Sequence, residues 1–414
     1  MTAARPLWAG RAAAVLAIIL LALNLRSAVA AISPIVALVN ADVQLDGFGL
    51  GILGTLPPVA FATAGIIAPV VARRIGLEST MVLACVAMII GPVVRALAPN
   101  YAVLLVGSAI VFAGMGFGNI LLPPAVKKFF PDRIGSVTSG YATVMSIGTS
   151  LPPLIAAPVA AAAGWRISVG SWAALAVLAL VPWIVVRLRA GRVAALEREQ
   201  NFMPEPRAQL LGSMFRSPTA IAIALAFAVT AIGSYSAFAW LPELLIDRAQ
   251  LTPAQAGAAL ALFAITGLPL ALVAPILAAR LRNVGIVIAV GGVLFVLGWL
   301  GLLLMPTVAP WLWVLLVGLG AVCFPLCLAL IGLRTRGQDS AVALSGFVQA
   351  IGYGAAALGP LALGILHEMT HDWVTPLLFL VATSLVAFVP AVILRRRSFV
   401  DDEILATTRP RDGE

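Results

Sequence analysis

Charged residues are scarce in this chain: Asp, Glu, Lys and Arg together make up 10% of its 414 positions. Soluble domains carry about 25% charged residues, so a soluble globular protein is excluded, because it could not cover its surface with polar groups. There are only three cysteines, and Cys85, Cys323 and Cys327 all lie inside apolar runs. This excludes a disulfide framework and favours small packing residues over metal ligands.

Apolar residues are abundant instead, at 62% of the chain, and they occur in long runs. A helix that crosses the bilayer needs about 20 of them, so the runs predict an all-α membrane protein with twelve transmembrane helices. The first run is too long for the apolar core of a signal peptide and is interpreted as a permanent helix. The predicted spans are 11–39, 47–73, 79–97, 101–128, 135–163, 166–187, 217–247, 252–280, 284–305, 309–336, 340–367 and 373–395.

The distribution of basic residues predicts the topology. The net charge is +9, but the Lys and Arg residues stand between the apolar runs, where they orient a membrane protein. With both termini in the cytoplasm, all of them fall on that side except Arg26, Arg95, Arg166 and Arg248. We therefore expect a multi-pass protein of a bacterial-type inner (plasma) membrane, in contact with the lipid bilayer, with cytoplasmic termini and no nucleic-acid partner.

An internal repeat divides the chain. A shift of 206 residues (354 minus 148) lays Gly148 onto Gly354 and Ala68-Pro69 onto Ala274-Pro275. Six spans separate the copies, an even number, so both halves cross the membrane in the same direction. This predicts two pseudo-symmetric six-helix bundles in one chain, which we expect to function as a monomer. The predicted segments are the bundles 1–187 and 217–395, a polar cytoplasmic linker at 188–216 and a cytoplasmic tail at 396–414.

Three short strings carry a family resemblance. They are Asn24-Leu25-Arg26, the stretch from Gly118 to Pro123 that continues to Lys128, and Trp240-Leu241-Pro242. With these strings at corresponding positions in twelve spans, the chain resembles the CynX/NimT (cyanate/2-nitroimidazole transporter) family of the major facilitator superfamily. The resemblance covers most of the chain. It implies the fold of that superfamily, transport of a small-molecule substrate, no cofactor and no enzyme activity.

The loop between the second and third helices departs from the superfamily pattern, which is acidic-basic-x-Gly-basic-basic. Here Arg73-Arg74-Ile75-Gly76-Leu77-Glu78 keeps only the second basic residue and the glycine. The charge-relay gating that the full motif implies is therefore not expected to carry over unchanged. The arginines at this loop could instead bind helix ends.

Arg26 is the strongest candidate for substrate binding. It is the only charged residue deep inside a predicted span, where a charge costs about 2.5–3.5 kcal/mol on insertion scales. No Asp or Glu lies deep enough in the predicted spans to neutralise it. A small anion, or a polar solute with a nitro or carboxylate group, would supply the counter-charge, and the planar guanidinium can hold such groups at two points. The alternative is an arginine held by helix carbonyls for packing.

Other polar residues are placed by helical spacing. Ser33 follows Arg26 by seven residues and is expected on its face, whereas Asn24 is expected to meet a neighbouring helix. Asn119 could line the pathway or bond between helices. Tyr235 lies one turn beyond the position that corresponds to Arg26 when the chain is shifted by 206 residues. This suggests an asymmetric site, with an arginine from one half and a tyrosine from the other. The predicted substrate-binding residues are Arg26, Asn24, Ser33, Asn119, Tyr235, Gln349 and Tyr353, the last two on one face with Ser345.

One string matches a catalytic motif. His367-Glu368-Met369-Thr370-His371 fits the zinc-protease pattern H-E-x-x-H. It contains the only two histidines of the chain and stands at a short loop, so we interpret it as a chance match and predict neither a metal site nor a catalytic residue. Glu243 and Asp247 end the seventh helix, where they are solvated or take part in coupling to a proton.

Three functions are compared. The sequence favours a secondary active or facilitative transporter of a small anionic or polar solute, working by alternating access around a midplane site that contains Arg26. Proton-driven efflux of small drugs or nitroheterocycles is the alternative, although it favours a buried carboxylate that the predicted spans do not provide. An intramembrane metalloprotease would depend on His367, Glu368 and His371 alone. Substrate identity, direction of flux and coupling ion are open.

Overall fold

The computed structural model describes residues 11–130, 132–193 and 212–408, and within these ranges it is helical without a β-strand. Two short 3₁₀-helices, Ser33–Ile35 and Met214–Arg216, accompany the α-helices. In chain order the α-helices of the described ranges are α1 (Ala12–Asn24), α2 (Val36–Val43), α3 (Gly47–Ile75), α4 (Leu77–Ala96), α5 (Tyr101–Phe129), α6 (Ile134–Ala163), α7 (Trp165–Gly170), α8 (Trp172–Val193), α9 (Pro218–Ala249), α10 (Pro253–Ile265), α11 (Gly267–Arg280), α12 (Gly285–Leu304), α13 (Pro310–Gly320), α14 (Cys323–Leu333), α15 (Gln338–Thr370), α16 (Val374–Leu385), α17 (Phe388–Ile393) and α18 (Val400–Thr408).

Eleven helical segments of the described ranges are long and apolar enough to cross a membrane. They correspond to the second to twelfth predicted spans. Four of them consist of two helices separated by one or two residues: α7 with α8, α10 with α11, α13 with α14, and α16 with α17. A segment in lipid must satisfy its backbone N–H and C=O groups internally, and this explains why the apolar runs are helical.

The first predicted span, 11–39, is not one helix. α1 ends at Asn24, residues 25–32 form turns, and α2 begins at Val36 after the 3₁₀-helix. Pro34 has no backbone N–H, so it could not bond to the carbonyl of Ala30 in an α-helix. The prediction of a continuous first helix is therefore wrong at the residues that flank Arg26.

The chain forms two compact units, each with discontinuous bounds. The first contains Met1–Gly49, Val59–Met203 and Thr252–Ala261, and the second contains Leu50–Pro58, Pro204–Leu251 and Leu262–Glu414. The predicted bundle boundaries stay a prediction. In the predicted linker, α8 continues to Val193, while residues 194–211 lie outside the described residues.

Three glycines of α5 are packing positions. A Cβ at Gly114 would lie 2.7 Å from the Ala84 carbonyl oxygen of α4, and one at Gly116 would lie 2.7 Å from Ala64 of α3. A Cβ at Gly118 would lie 2.6 Å from the side chain of Leu25. Small residues allow helices in lipid to approach closely, so α5 packs against three different segments of the first unit.

The loop between α3 and α4, which departs from the superfamily pattern, contains one glycine with an unusual backbone conformation and leads into one ion pair. Gly76 is the single residue between α3 and α4. Its φ of +89° lies in a region of backbone conformation that favours glycine. Glu78 is buried, and its carboxylate lies 2.5 Å from Lys128 Nζ at the end of α5. The acidic residue that replaces a basic one in this loop therefore ties the start of α4 to the end of α5.

The predicted cytoplasmic tail contains a docked helix, α18. The Glu403 carboxylate accepts hydrogen bonds from Ser217 Oγ (2.5 Å), Thr219 N (3.1 Å) and Thr219 Oγ1 (2.7 Å) at the start of α9. Asp402 accepts two hydrogen bonds from the Arg336 guanidinium, which lowers the pKa of that carboxyl. A negative charge at a helix N-terminus is stabilising, so Glu403 holds α18 against α9 within the second unit.

Replacing Glu403 with alanine should destabilise the chain by about 1–3 kcal/mol, because Ser217 and Thr219 lose a charged acceptor in a half-buried position. Thermal unfolding in detergent measures this effect. Asp402→Ala is the matched control: its ion pair with Arg336 is exposed on both sides, and exposed pairs contribute little. Equal melting temperatures for Glu403→Ala and Asp402→Ala would show that the contact with α9 does not stabilise the fold.

Candidate solute-binding site

Arg26 lies in the non-helical interruption between α1 and α2. The backbone there forms separate turns, in which Leu25 N donates to Ala22 O (3.3 Å) and Val29 N donates to Arg26 O (3.2 Å). Interrupted helices are found in transporters where they line a cavity, since the unwound backbone offers polar groups to a solute. The interruption therefore gives Arg26 a different setting from the continuous helix that the sequence predicted.

The side chain of Arg26 is half-buried and lies over an aromatic ring. Its Cζ is 5.1 Å from the ring centroid of Phe61 on α3, a cation–π distance. Arg26 makes further contacts besides this one. The N–H donors of a guanidinium lie in its plane, where planar acceptors are bound.

Asn24 connects α1 to a neighbouring helix, as its angular position predicted. Its Nδ2 donates to Leu20 O at 2.8 Å and to Leu175 O of α8 at 3.2 Å, and the residue is buried. The amide of Asn24 is therefore used in helix packing directly before the interruption. Ser27 Oγ donates to Asn24 O (3.0 Å) and closes the end of α1.

Ser33 and Asn119 complete the predicted set in the first unit. Ser33 is buried in the 3₁₀-helix. The argument that placed Ser33 on the Arg26 face is wrong, because the residues between them are turns and helical spacing does not apply. Asn119 is half-buried on α5, one residue after Gly118, which contacts Leu25. α5 therefore brings Asn119 to the neighbourhood of the interruption.

In the second unit, α9 and α15 bring the predicted tyrosines together. The ring centroids of Tyr235 and Tyr353 are 6.3 Å apart in an edge-to-face arrangement, and Phe227 lies 5.4 Å from Tyr353. Gln349 Nε2 donates to Ser345 Oγ at 2.8 Å, one turn earlier on α15. Both tyrosines are buried, whereas Gln349 is half-buried. Beside them, the buried Ser236 Oγ has no hydrogen-bond partner among the described residues.

A model of the Major Facilitator Superfamily matches residues 14–321 of this chain. The chain belongs to this superfamily. The transporter YycB of Bacillus subtilis (strain 168) is 32% identical over 376 residues, covering 89% of this chain and 90% of the relative. The 2-nitroimidazole transporter of Escherichia coli (strain K12) is 30% identical, covering 89% and 91%. The cyanate transport protein CynX of the same organism is 24% identical, covering 86% and 91%.

These matches confirm the resemblance to the CynX/NimT family, and solved structures confirm the superfamily fold. The D-xylose-proton symporter aligns with a TM-score of 0.72 at 16% identity, covering 94% of this chain and 98% of that one. The nucleoside transporter NupG aligns with a TM-score of 0.73 at 13% identity, covering 92% and 99%. The chain is a multi-pass membrane transporter for a small solute and not an enzyme.

Sequence reasoning missed a second arginine of this major facilitator protein. Arg95 was expected at the non-cytoplasmic end of the span 79–97 and was not singled out, and it is only 2% exposed at the end of α4. Its NH1 donates to Ala28 O of the interruption at 3.4 Å, and its Cζ lies 5.8 Å from the Phe112 ring centroid. A spacing of seven residues places Arg95 on the buried face of Met81 and Met88, and this periodicity is the signal that could have found it.

Proposed function

We propose that this major facilitator protein carries a small anion, or a compact polar solute with an electron-rich group, and that Arg26 binds that group during alternating access. The observation that supports the proposal best is the position of Arg26 in a non-helical interruption, half-buried against Phe61. A charge kept within a membrane segment at a cost of about 2.5–3.5 kcal/mol is a functional candidate by default.

The chemistry of Arg26 favours planar, negatively polarised groups. A guanidinium presents N–H donors in a rigid fork that matches the two oxygens of a carboxylate or a nitro group. The Phe61 ring lies 5.1 Å from Arg26 Cζ, and Arg95 donates a hydrogen bond to the backbone of the interruption. We propose that Arg95 stabilises the backbone around Arg26 and that Arg26 makes the contact with the solute.

The names of the relatives agree with this chemistry. One relative is a 2-nitroimidazole transporter and another a cyanate transport protein; a nitro group and a cyanate ion are both small and electron-rich. We extend this class of solute to the present chain. Asn119 in the first unit, and Tyr235, Gln349 and Tyr353 in the second, are proposed as further polar contacts of the solute, while Asn24 and Ser33 are proposed to shape the interruption.

Efflux of nitroheterocycles driven by protons is the second candidate. The 30% identity to the 2-nitroimidazole transporter favours this solute, and Glu243, which the sequence placed at the end of the seventh span, is a half-buried carboxylate on α9 that could carry the proton. For either direction we propose a monomer in the inner membrane with both termini in the cytoplasm, from the distribution of Lys and Arg.

A thermal-shift screen of the purified protein in detergent tests the solute class. Cyanate, nitroimidazoles and small carboxylates should raise the melting temperature, because a ligand that binds only the folded state stabilises it. The corresponding carboxamides, which have the same shape without the charge, should have a smaller effect. Arg26→Ala should abolish the shift, while the exposed Arg282→Ala should keep it. A shift of equal size for carboxamides would refute binding of an anion through its charge, and a shift that persists in Arg26→Ala would refute the assignment to Arg26.

A further inference from the structure

Three side chains with metal-ligating atoms meet at one end of the second unit. Glu243 and Asp247 lie on α9 and His367 lies on α15, and each offers a ligand atom within 4.8 Å of the others. Glu243 and His367 are half-buried and Asp247 is exposed. This cluster is separate from Arg26 and the tyrosines, and the transport proposal does not use it as a binding site.

The imidazole of His367 is held in one orientation. Its Nδ1 lies 2.9 Å from the Asp372 carbonyl oxygen. Because a carbonyl can only accept, Nδ1 is the donor in this hydrogen bond, and Nε2 is the ring nitrogen left to bind a metal. The ring also stacks on Trp373, with centroids 4.2 Å apart and an interplanar angle of 24°, and Trp240 lies 6.1 Å away. A histidine that ligates a metal commonly donates its other ring N–H to a carbonyl or a carboxylate in this way.

The two carboxylates differ in their partners. Asp247 Oδ2 accepts a hydrogen bond from Trp373 Nε1 at 2.9 Å, so the indole that stacks on His367 also orients Asp247. Glu243 Oε2 is shielded from solvent and has no hydrogen-bond partner among the described residues. A shielded carboxylate oxygen without a partner is costly, and a cation shared with Asp247 and His367 would remove that cost.

We infer that Glu243, Asp247 and His367 bind a divalent transition metal of the zinc, cobalt and nickel class. One imidazole with two carboxylates suits these ions, whereas Ca²⁺ and Mg²⁺ prefer oxygen ligands alone. Ligands about 2.0–2.2 Å from a tetrahedral zinc are about 3.3–3.6 Å apart, so ligand atoms that lie within 4.8 Å of one another would approach by at most about 1.5 Å when the ion binds. The exposed Asp247 provides the entry path, and three protein ligands leave a position for water.

This site is not the one that the H-E-x-x-H string would form. Of that string, only His367 belongs to the cluster. His371 ends α15 with φ 52°, in the left-handed region. In a zinc protease both histidines bind the metal from one helix face, whereas here the other two ligands come from α9. The inferred site therefore connects α9 to α15.

The test is zinc binding to the purified chain, carrying a histidine-free affinity tag and treated with a chelator, in competition with a chromophoric zinc chelator. We expect one zinc ion per chain. His367→Ala and Glu243→Gln should each weaken binding at least about 100-fold, because removing even a group that only orients a ligand costs about 10–100-fold. Trp373→Phe, which removes the hydrogen bond to Asp247 but keeps an aromatic ring, should weaken it about tenfold.

Glu368→Gln and His371→Asn are the matched controls from the same string; asparagine is chosen because it tolerates the left-handed conformation. Both should bind zinc as the unmodified chain does. Thermal unfolding without metal checks that every variant is folded, and zinc should raise the melting temperature only where the cluster is intact. The inference is overturned if the unmodified chain shows no saturable binding, or if binding survives in the double variant His367→Ala/Glu243→Gln. Neither outcome depends on the solute or on Arg26.

Discussion

Replacing Arg26 with alanine should lower solute flux into proteoliposomes about 100-fold or more. Two charge-assisted hydrogen bonds from one guanidinium contribute about 1.5–3 kcal/mol each, and each 1.4 kcal/mol corresponds to about a factor of ten in affinity. The loss is expected to appear mainly as weaker binding, because alanine removes the contact with the solute. Flux of a labelled anion, measured over a range of concentrations, separates this effect from a lower maximal rate.

Arg26→Lys distinguishes charge from geometry. Lysine keeps the positive charge but lacks the planar fork. Flux should therefore fall less than in Arg26→Ala, and the variant should discriminate less between carboxylates and spherical anions. Arg282→Ala removes the same charge from an exposed position and should leave flux unchanged. Full flux in Arg26→Lys would exclude two-point binding, and full flux in Arg26→Ala would remove Arg26 from the pathway.

The positions of most spans could be predicted from the sequence. The spans predicted at 101–128 and 284–305 correspond to α5, Tyr101–Phe129, and α12, Gly285–Leu304. The agreement has a physical cause: lipid offers no hydrogen bonds to the backbone, so a long apolar run has almost no alternative to a helix. The apolar run and the structural element therefore have nearly the same ends.

The interruption at Arg26 could not be predicted with the same reasoning. Leu25, Ala28 and Ile32 are as apolar as the residues of a helix, and hydropathy does not distinguish a helix from turns that are buried in protein. Pro34 was the only local signal, and one proline inside a span is often tolerated. The Ser33 placement assumed continuous helical spacing, so the argument for it fails together with the helix.

The cluster around His367 was also outside the reach of sequence reasoning. The H-E-x-x-H string drew attention to His371, four residues along the same helix. The groups that surround His367 in the structure come instead from α9, more than a hundred residues earlier. Only the packing of α9 against α15, which also brings Tyr235 to Tyr353, places Glu243 and Asp247 beside that ring. Sequence proximity and spatial proximity therefore point to different ligands.

Gly148→Ala should destabilise the first unit by about 3 kcal/mol or more, the upper end of the cost of overpacking. A Cβ at Gly148 would lie 2.2 Å from the Leu23 carbonyl oxygen. Since this obstacle is backbone, α6 would have to move away from α1 by most of an ångström. The strain falls two residues before the Arg26 interruption begins, so loss of thermal stability in detergent should be accompanied by loss of flux.

The internal repeat provides the control for Gly148. Gly354 on α15 is its counterpart at the 206-residue shift, yet a Cβ there would meet no atom of the described residues within 4 Å, and the same holds for Gly140 on α6 itself. Alanine at either position should be tolerated or stabilise the helix by about 0.5–1 kcal/mol, because glycine is the poorer helix former. If Gly148→Ala and Gly354→Ala unfold at the same temperature, the close approach of α6 to α1 does not limit stability. A difference of several degrees would show that only one of the two halves uses this glycine for close helix packing.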